Sequence, residues 1–189
     1  MNKRVLATVG VAVVTLGVGI STAVAGPDAS AAERYGEARL VDPGGGFVGA
    51  VQLVEQNGRL NVMGKFSGLT SGFHGFHIHE TGECAGSSTP PFTSAGGHLS
   101  AAGAGHPGHA GDMPVLLVND DGAAQTSFTT DRVTFTDIFD ANGSAIIVHA
   151  GPDNYANIPT RYASAGPDDA TLATGDSGGR VACGVVISH

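Results

Sequence analysis

Residues 47–66, FVGAVQLVEQNGRLNVMGKF, read as two alternating runs on either side of Gln56-Asn57-Gly58. A period of two sends successive side chains to opposite faces of an extended strand, so 47–54 and 60–66 are half-buried strands rather than helix. Asn-Gly supplies the positive φ values a tight turn needs, which joins the two runs as a hairpin.

The pattern continues outward. Residues 37–41, 73–79, 145–149 and 181–187 read as strands, and 115–118 with 124–129 form another hairpin across Asp120-Asp121-Gly122. A chain of 189 residues that is 41% hydrophobic suits one core. Thirty glycines and nine prolines against two lysines favour an all-β domain with many turns. Gly44-Gly45-Gly46-Phe47-Val48-Gly49 fits G-x-G-x-x-G, but a β-patterned run follows it, so no helix N-terminus receives a pyrophosphate and the segment reads as a turn. Asn142-Gly143-Ser144 is a glycosylation sequon within a turn.

Residues 1–25 read as a signal peptide. Asn2-Lys3-Arg4 is a short basic start, 5–24 is apolar or small, and Ala23-Val24-Ala25 has the small-x-small form of a cleavage site before Gly26. That site favours removal over retention as a membrane anchor, and no second apolar span follows. Residues 26–34 read as a flexible leader, and 35–189 as the domain. Loss of Lys3 and Arg4 moves the formal charge from -8 to -10. An acidic chain without clustered Lys and Arg does not suit nucleic acid. In an exported chain, Cys84 and Cys183 are most simply a disulfide, closing a loop of about 100 residues.

Two segments, 80–113 and 150–180, lack the strand pattern and are too long for ordinary connections, which marks them as functional loops. The histidines gather in and beside them. On a regular strand His77 and His79 share a face, and His74 has the other parity, so His74 reads as structural. His98, His106, His109 and Asp112 form a nitrogen and oxygen donor set suited to zinc. His149 ends a further strand. Six of the eight histidines lie in these two loops and strand ends.

The pieces GFHGFHIHE (72–80), SAGGH (94–98), HAGD (109–112), VHAGPDN (148–154) and GGRVACGV (178–185) together resemble the copper/zinc superoxide dismutase family, exported bacterial type. The resemblance spans nearly the whole chain after the leader. It implies an eight-stranded Greek-key β-barrel, flattened and sandwich-like, with two long functional loops. It implies copper on His77, His79, His98 and His149, zinc on His98, His106, His109 and Asp112, and His98 shared by both ions. It also implies that Asp153 bonds the far nitrogens of His77 and His106, that Cys84 and Cys183 are the family disulfide, and that Arg180 stands at the mouth of the copper channel. The implied activity is dismutation of superoxide, with Arg180 and His98 as the catalytic residues. A non-catalytic metal-binding or copper-delivery domain of the same fold is the alternative. The implied setting is the periplasm, cell envelope or exterior, as a monomer or homodimer without stable membrane contact.

Two departures stand out. His106 and His109 are three apart, closer than in many relatives, with Pro107-Gly108 as a tight turn between them. The loop 154–176 carries Arg161 as its one basic residue, so attraction of an anion falls mainly to Arg180.

Overall fold

The computed structural model describes residues 34–100 and 104–189. The signal peptide and residues 26–33 of the leader lie outside the described residues. Arg34, assigned to the leader, instead opens the first strand.

Nine strands follow in chain order: β1 (Arg34–Val41), β2 (Phe47–Gln56), β3 (Arg59–Phe66), β4 (Gly72–His74), β5 (Phe76–His79), β6 (Leu116–Val118), β7 (Ala124–Thr130), β8 (Ala145–His149) and β9 (Arg180–Ser188). Two short helices, α1 (Phe135–Ile138) and α2 (Asp169–Thr174), complete the regular structure among the described residues, with one 3-10 turn at Thr93–Ala95. Seven strands form one antiparallel sheet in the order β5-β8-β9-β1-β2-β3-β7, and β4 pairs with β6 in a second. The hairpin between β6 and β7 sets the small sheet beside the far edge of the large one, which curls the whole into a flattened all-β barrel.

The Asn57-Gly58 hairpin holds the register expected, with Val54 opposite Asn61 and Gln56 opposite Arg59, and both turn residues take positive φ. One expected strand differs. The run 73–79 is broken at Gly75, whose N–H donates to Gly151 O and whose carbonyl accepts from His149 N, each at 2.8 Å. The chain changes partner there, from β6 to β8, so eight expected strands become nine. Within the two long loops, α2 is an unanticipated helix. Its ends carry local signals: the Asp168 side chain accepts from Thr171 N, and Gly175 follows in the left-handed conformation.

β5 and β8 are buried on both faces. Phe76, Ile78, Ile146 and Val148 point into the main core with Leu40, Val51, Leu53, Leu60 and Val62. On the opposite face, Ala145 and Ile147 join Phe92, Ala95 and Cys183 in a second cluster, with Cys84 packed against it. His77, His79 and His149 share this second face by strand parity, opposite Ile147, Ala145 and Arg180 respectively. The barrel wall thus presents histidines outward, and the loop 80–113 folds over them.

That loop also completes the edge of β5. Leu99 N donates to Ile78 O at 2.8 Å, Ile78 N to Gly111 O at 3.0 Å, and Glu80 N to Gly97 O at 3.0 Å. An edge strand left open would carry unpaired amides and carbonyls. Gly111 is needed at this approach, because a Cβ there would collide with the Ile78 carbonyl.

Cys84 and Cys183 form a disulfide across 99 residues of sequence. It ties the loop 80–113 to β9. Reducing it should lower the unfolding free energy by about 4 to 5 kcal/mol in the chain-entropy model. Urea unfolding with and without reductant measures this, and a loss below about 1 kcal/mol would show that this loop is not held by the crosslink.

Candidate metal centre

The second face of β5 and β8 brings six histidines and two aspartates together, all buried. Two compact groups overlap within them. His77, His79, His98 and His149 form one, and His77, His98, His106 and Asp112 the other, each with its donor atoms within 4.8 Å of one another. Every ligand residue named from sequence lies in this assembly. His109 stands at its edge, outside the compact second group, with its Nδ1 3.3 Å from Asp112 Oδ1 and its backbone N–H donating to Asp112 Oδ2 at 2.9 Å.

Hydrogen bonds fix which nitrogen of each ring faces inward. His77 Nε2 donates to Asp153 Oδ2 at 2.7 Å and His106 Nε2 to Asp153 Oδ1 at 2.8 Å. His98 Nδ1 lies 2.8 Å from Asp112 Oδ1. The opposite nitrogens, His77 Nδ1, His98 Nε2 and His106 Nδ1, are buried and make no hydrogen bond. His106 Nδ1 is 3.1 Å from Asp112 Oδ1, close enough for charge attraction but misaligned for a hydrogen bond. His79 Nδ1 and His149 Nδ1 donate to the carbonyls of Gly96 and Gly178, at 3.0 and 3.1 Å. Their Nε2 atoms then face each other at 3.4 Å as two lone pairs. Buried, unpaired acceptors that converge are costly unless a cation completes them. The donor set therefore fits metal ions.

Electrostatics divides the centre in two. Burial lowers His98 to about 4 against the opposing effect of the hydrogen bond its Nδ1 donates to Asp112. Burial, with His77 nearby, lowers His149 to about 3. Burial also pushes His79 well down, helped by His98, His149 and Arg180. These rings are neutral at neutral pH and have lone pairs to offer. Burial works against charge on His106 as well, but the Asp112 carboxylate beside its Nδ1 and the hydrogen bond it donates to Asp153 outweigh it and raise the ring to about 9. Burial alone would raise both carboxyls; the close His106 ring and the hydrogen bond from His98 at Asp112, and the hydrogen bonds from His106 and His77 at Asp153, hold them well below the usual carboxylate range.

Arg180 donates through Nη1 to Phe92 O and through Nη2 to Gly96 O, both at 2.5 Å. Gly96 O also accepts from His79, so one carbonyl positions both residues. His74 is no part of either group: its ring is bracketed by His149 O at 2.6 Å and Thr70 O at 2.8 Å. The structural role expected for it holds, although the strand that supplied the parity is interrupted.

Sequence reading missed several supports. Tyr155, at φ 55°, donates its backbone N–H to Asp153 Oδ1 at 2.7 Å and lays its ring nearly parallel to that of His106. The α2 carbonyl of Leu172 accepts from His106 N at 2.7 Å. Gly175, at φ 59°, lets the end of α2 touch the bond between Asp153 and His106, where any Cβ would collide with both side chains. The run Asp168 to Gly175 carried the cap signals of that helix, but nothing local points from it to Asp153.

A buried histidine and carboxylate centre of this kind, on the outer wall of a β-barrel, defines a metalloprotein with two adjoining ion sites. Residues 46–186 match the family model described as copper/zinc superoxide dismutase (SODC). The chain is 44% identical over 163 residues to the Superoxide dismutase [Cu-Zn] of Mycobacterium tuberculosis, covering 78% of this chain and 68% of that one. It is 48% identical over 131 residues to the Superoxide dismutase [Cu-Zn] of Mycolicibacterium paratuberculosis, covering 62% of this chain and 57% of that one. Among solved structures, a mutant of a SOD-like protein from Bacillus subtilis superposes with a TM-score of 0.63 at 30% identity, covering 79% of this chain and 95% of that one. The chain belongs to the copper/zinc superoxide dismutase family.

In the metal-free protein, an NMR titration should show the His98 and His149 rings neutral from pH 8 down to 5, with the His106 ring staying protonated up to about 9. A His98 midpoint at the ordinary histidine value would contradict the burial argument.

Proposed function

We propose that the chain dismutes superoxide, converting two superoxide anions and two protons to dioxygen and hydrogen peroxide. In this reading copper is held by His77, His79, His98 and His149, zinc by His98, His106, His109 and Asp112, and His98 serves both. The observation that carries the reading is the set of buried, unpartnered nitrogens His77 Nδ1, His98 Nε2 and His106 Nδ1. Imidazole donors suit copper in both oxidation states, and a carboxylate beside imidazoles suits zinc. Bound copper would supply one-electron exchange with superoxide, whereas zinc would bring no redox chemistry of its own.

The chain's own residues supply the rest. A net charge of -8 repels an anion on average, so the Arg180 guanidinium is the local positive group that binds superoxide. Carbonyls of Phe92 and Gly96 orient that guanidinium, and they belong to the loop the disulfide anchors. In this reading His98 Nε2 would hold and release the proton that goes to the peroxide product. Asp153 keeps the rings of His77 and His106 turned with Nδ1 inward.

We assign 1–25 to an export signal, 26–33 to a leader and the chain from Arg34 onward to the enzyme domain, acting outside the cytoplasm. The disulfide supports this, because such bonds persist in oxidising compartments.

Metal content and dismutation rate measured on one sample test the reading. Copper-loaded protein without activity would make it a metal-binding or copper-delivery domain instead. His98→Ala should cost both metals at once; zinc retained unchanged would refute a shared ligand. Arg180→Ala should slow dismutation by roughly tenfold or more with copper content unchanged.

A further inference from the structure

Arg132 belongs to none of the motifs above and lies in the connection between β7 and α1. Its base is set on the barrel framework. Arg132 N donates to Thr130 Oγ1 at 3.2 Å, the next residue, Val133, is buried in the main core, and Thr134 closes a capping box on α1 with Asp137. From that base the guanidinium reaches across to the turn that carries His106 and His109. Its Nη2 donates to Pro107 O at 2.7 Å and to His109 O at 3.1 Å.

The turn has few bonds of its own. Gly108 N donates to Gly105 O at 2.7 Å and Asp112 N to His109 O at 3.3 Å, and proline removes one backbone donor. The His106 side is held by Leu172 O and Asp153, and the His109 side by Asp112. Arg132 spans both halves from outside, gripping a backbone carbonyl on each side of Gly108. With only Pro107 and Gly108 between the two rings, a small rotation of either peptide swings a ring away from Asp112.

We propose that Arg132 is a positioning residue for the zinc site, pinning the Pro107 and His109 carbonyls so that the rings of His106 and His109 converge on Asp112. The inference rests on the assignment of zinc to this turn. A planar, permanently charged guanidinium suits the task, because one nitrogen can serve two carbonyls through charge-assisted bonds. A lysine keeps the charge but not the fixed geometry.

The test compares wild-type protein with R132A and R132K, each loaded with copper and zinc. Zinc transfer to a chelator gives the release rate, copper is quantified on the same samples, and cobalt(II) in the zinc position gives a visible spectrum sensitive to ligand geometry. R132A should release zinc roughly tenfold faster or more, as loss of an outer partner of a metal site commonly does, with a weakened cobalt spectrum and unchanged copper. R132K should fall between the two. The metal-free forms of wild type and R132A should unfold at the same temperature. Equal zinc release with identical cobalt spectra overturns the proposal. So does a metal-free R132A that loses as much thermal stability as the loaded one, since Arg132 is then a general contact. A wild-type protein that takes up no zinc refutes the zinc assignment itself, and the proposal with it.

Discussion

The centre depends on one buried carboxylate. Asp153 accepts from His77 on the barrel wall and from His106 in the loop, one on each oxygen, and takes a third bond from Tyr155 N. A carboxylate out of water is tolerable only when its oxygens are satisfied in this way. Its two ring partners thereby turn their other nitrogens inward. Removing Asp153 would free both rings to adopt the opposite tautomer, and the two ion sites would lose their common support.

The barrel makes such a network possible by covering β5 and β8 on both faces. Ile78 and Ile146 are held in the main core while His77 and Ile147 occupy the outer face, so each histidine stands on a strand packed from behind. The outer face is closed by the loop 80–113, which pairs with the edge of β5 and is crosslinked to β9. Arg180 is held by that same loop through the carbonyls of Phe92 and Gly96. A rigid wall thus supplies His77, His79 and His149, and loops of lower regularity supply His98, His106, His109 and Asp112. This division is how β scaffolds commonly host chemistry.

Much of the fold was legible because strand period and turn chemistry are local. The Asn57-Gly58 turn fixes its hairpin, and alternation along 145–149 separates Ile146 and Val148 from Ile147 and His149. The parity of His77 and His79 survives for the same reason. The break at Gly75 was not legible, since it arises from hydrogen bonds to Gly151 and His149, more than seventy positions away. Helix α2 has a readable cap at Asp168 and a readable stop at Gly175, yet six residues give too little periodicity to stand out inside a long loop. Tyr155 and Arg132 were invisible as supports, because a backbone donor and a side chain reaching two carbonyls leave no residue-type pattern.

The sequence by itself determined the alternation that makes an all-β domain, the number and kind of donor side chains, and the two cysteines. It also carried the family resemblance, because the donor motifs are short and contiguous. Only the tertiary structure decided which nitrogen of each ring is free, for that depends on partners far along the chain: Asp153 is 76 positions from His77 and 47 from His106. Spacing encodes which face a side chain takes. The proton on its ring is assigned by whatever oxygen the folded chain brings beside it.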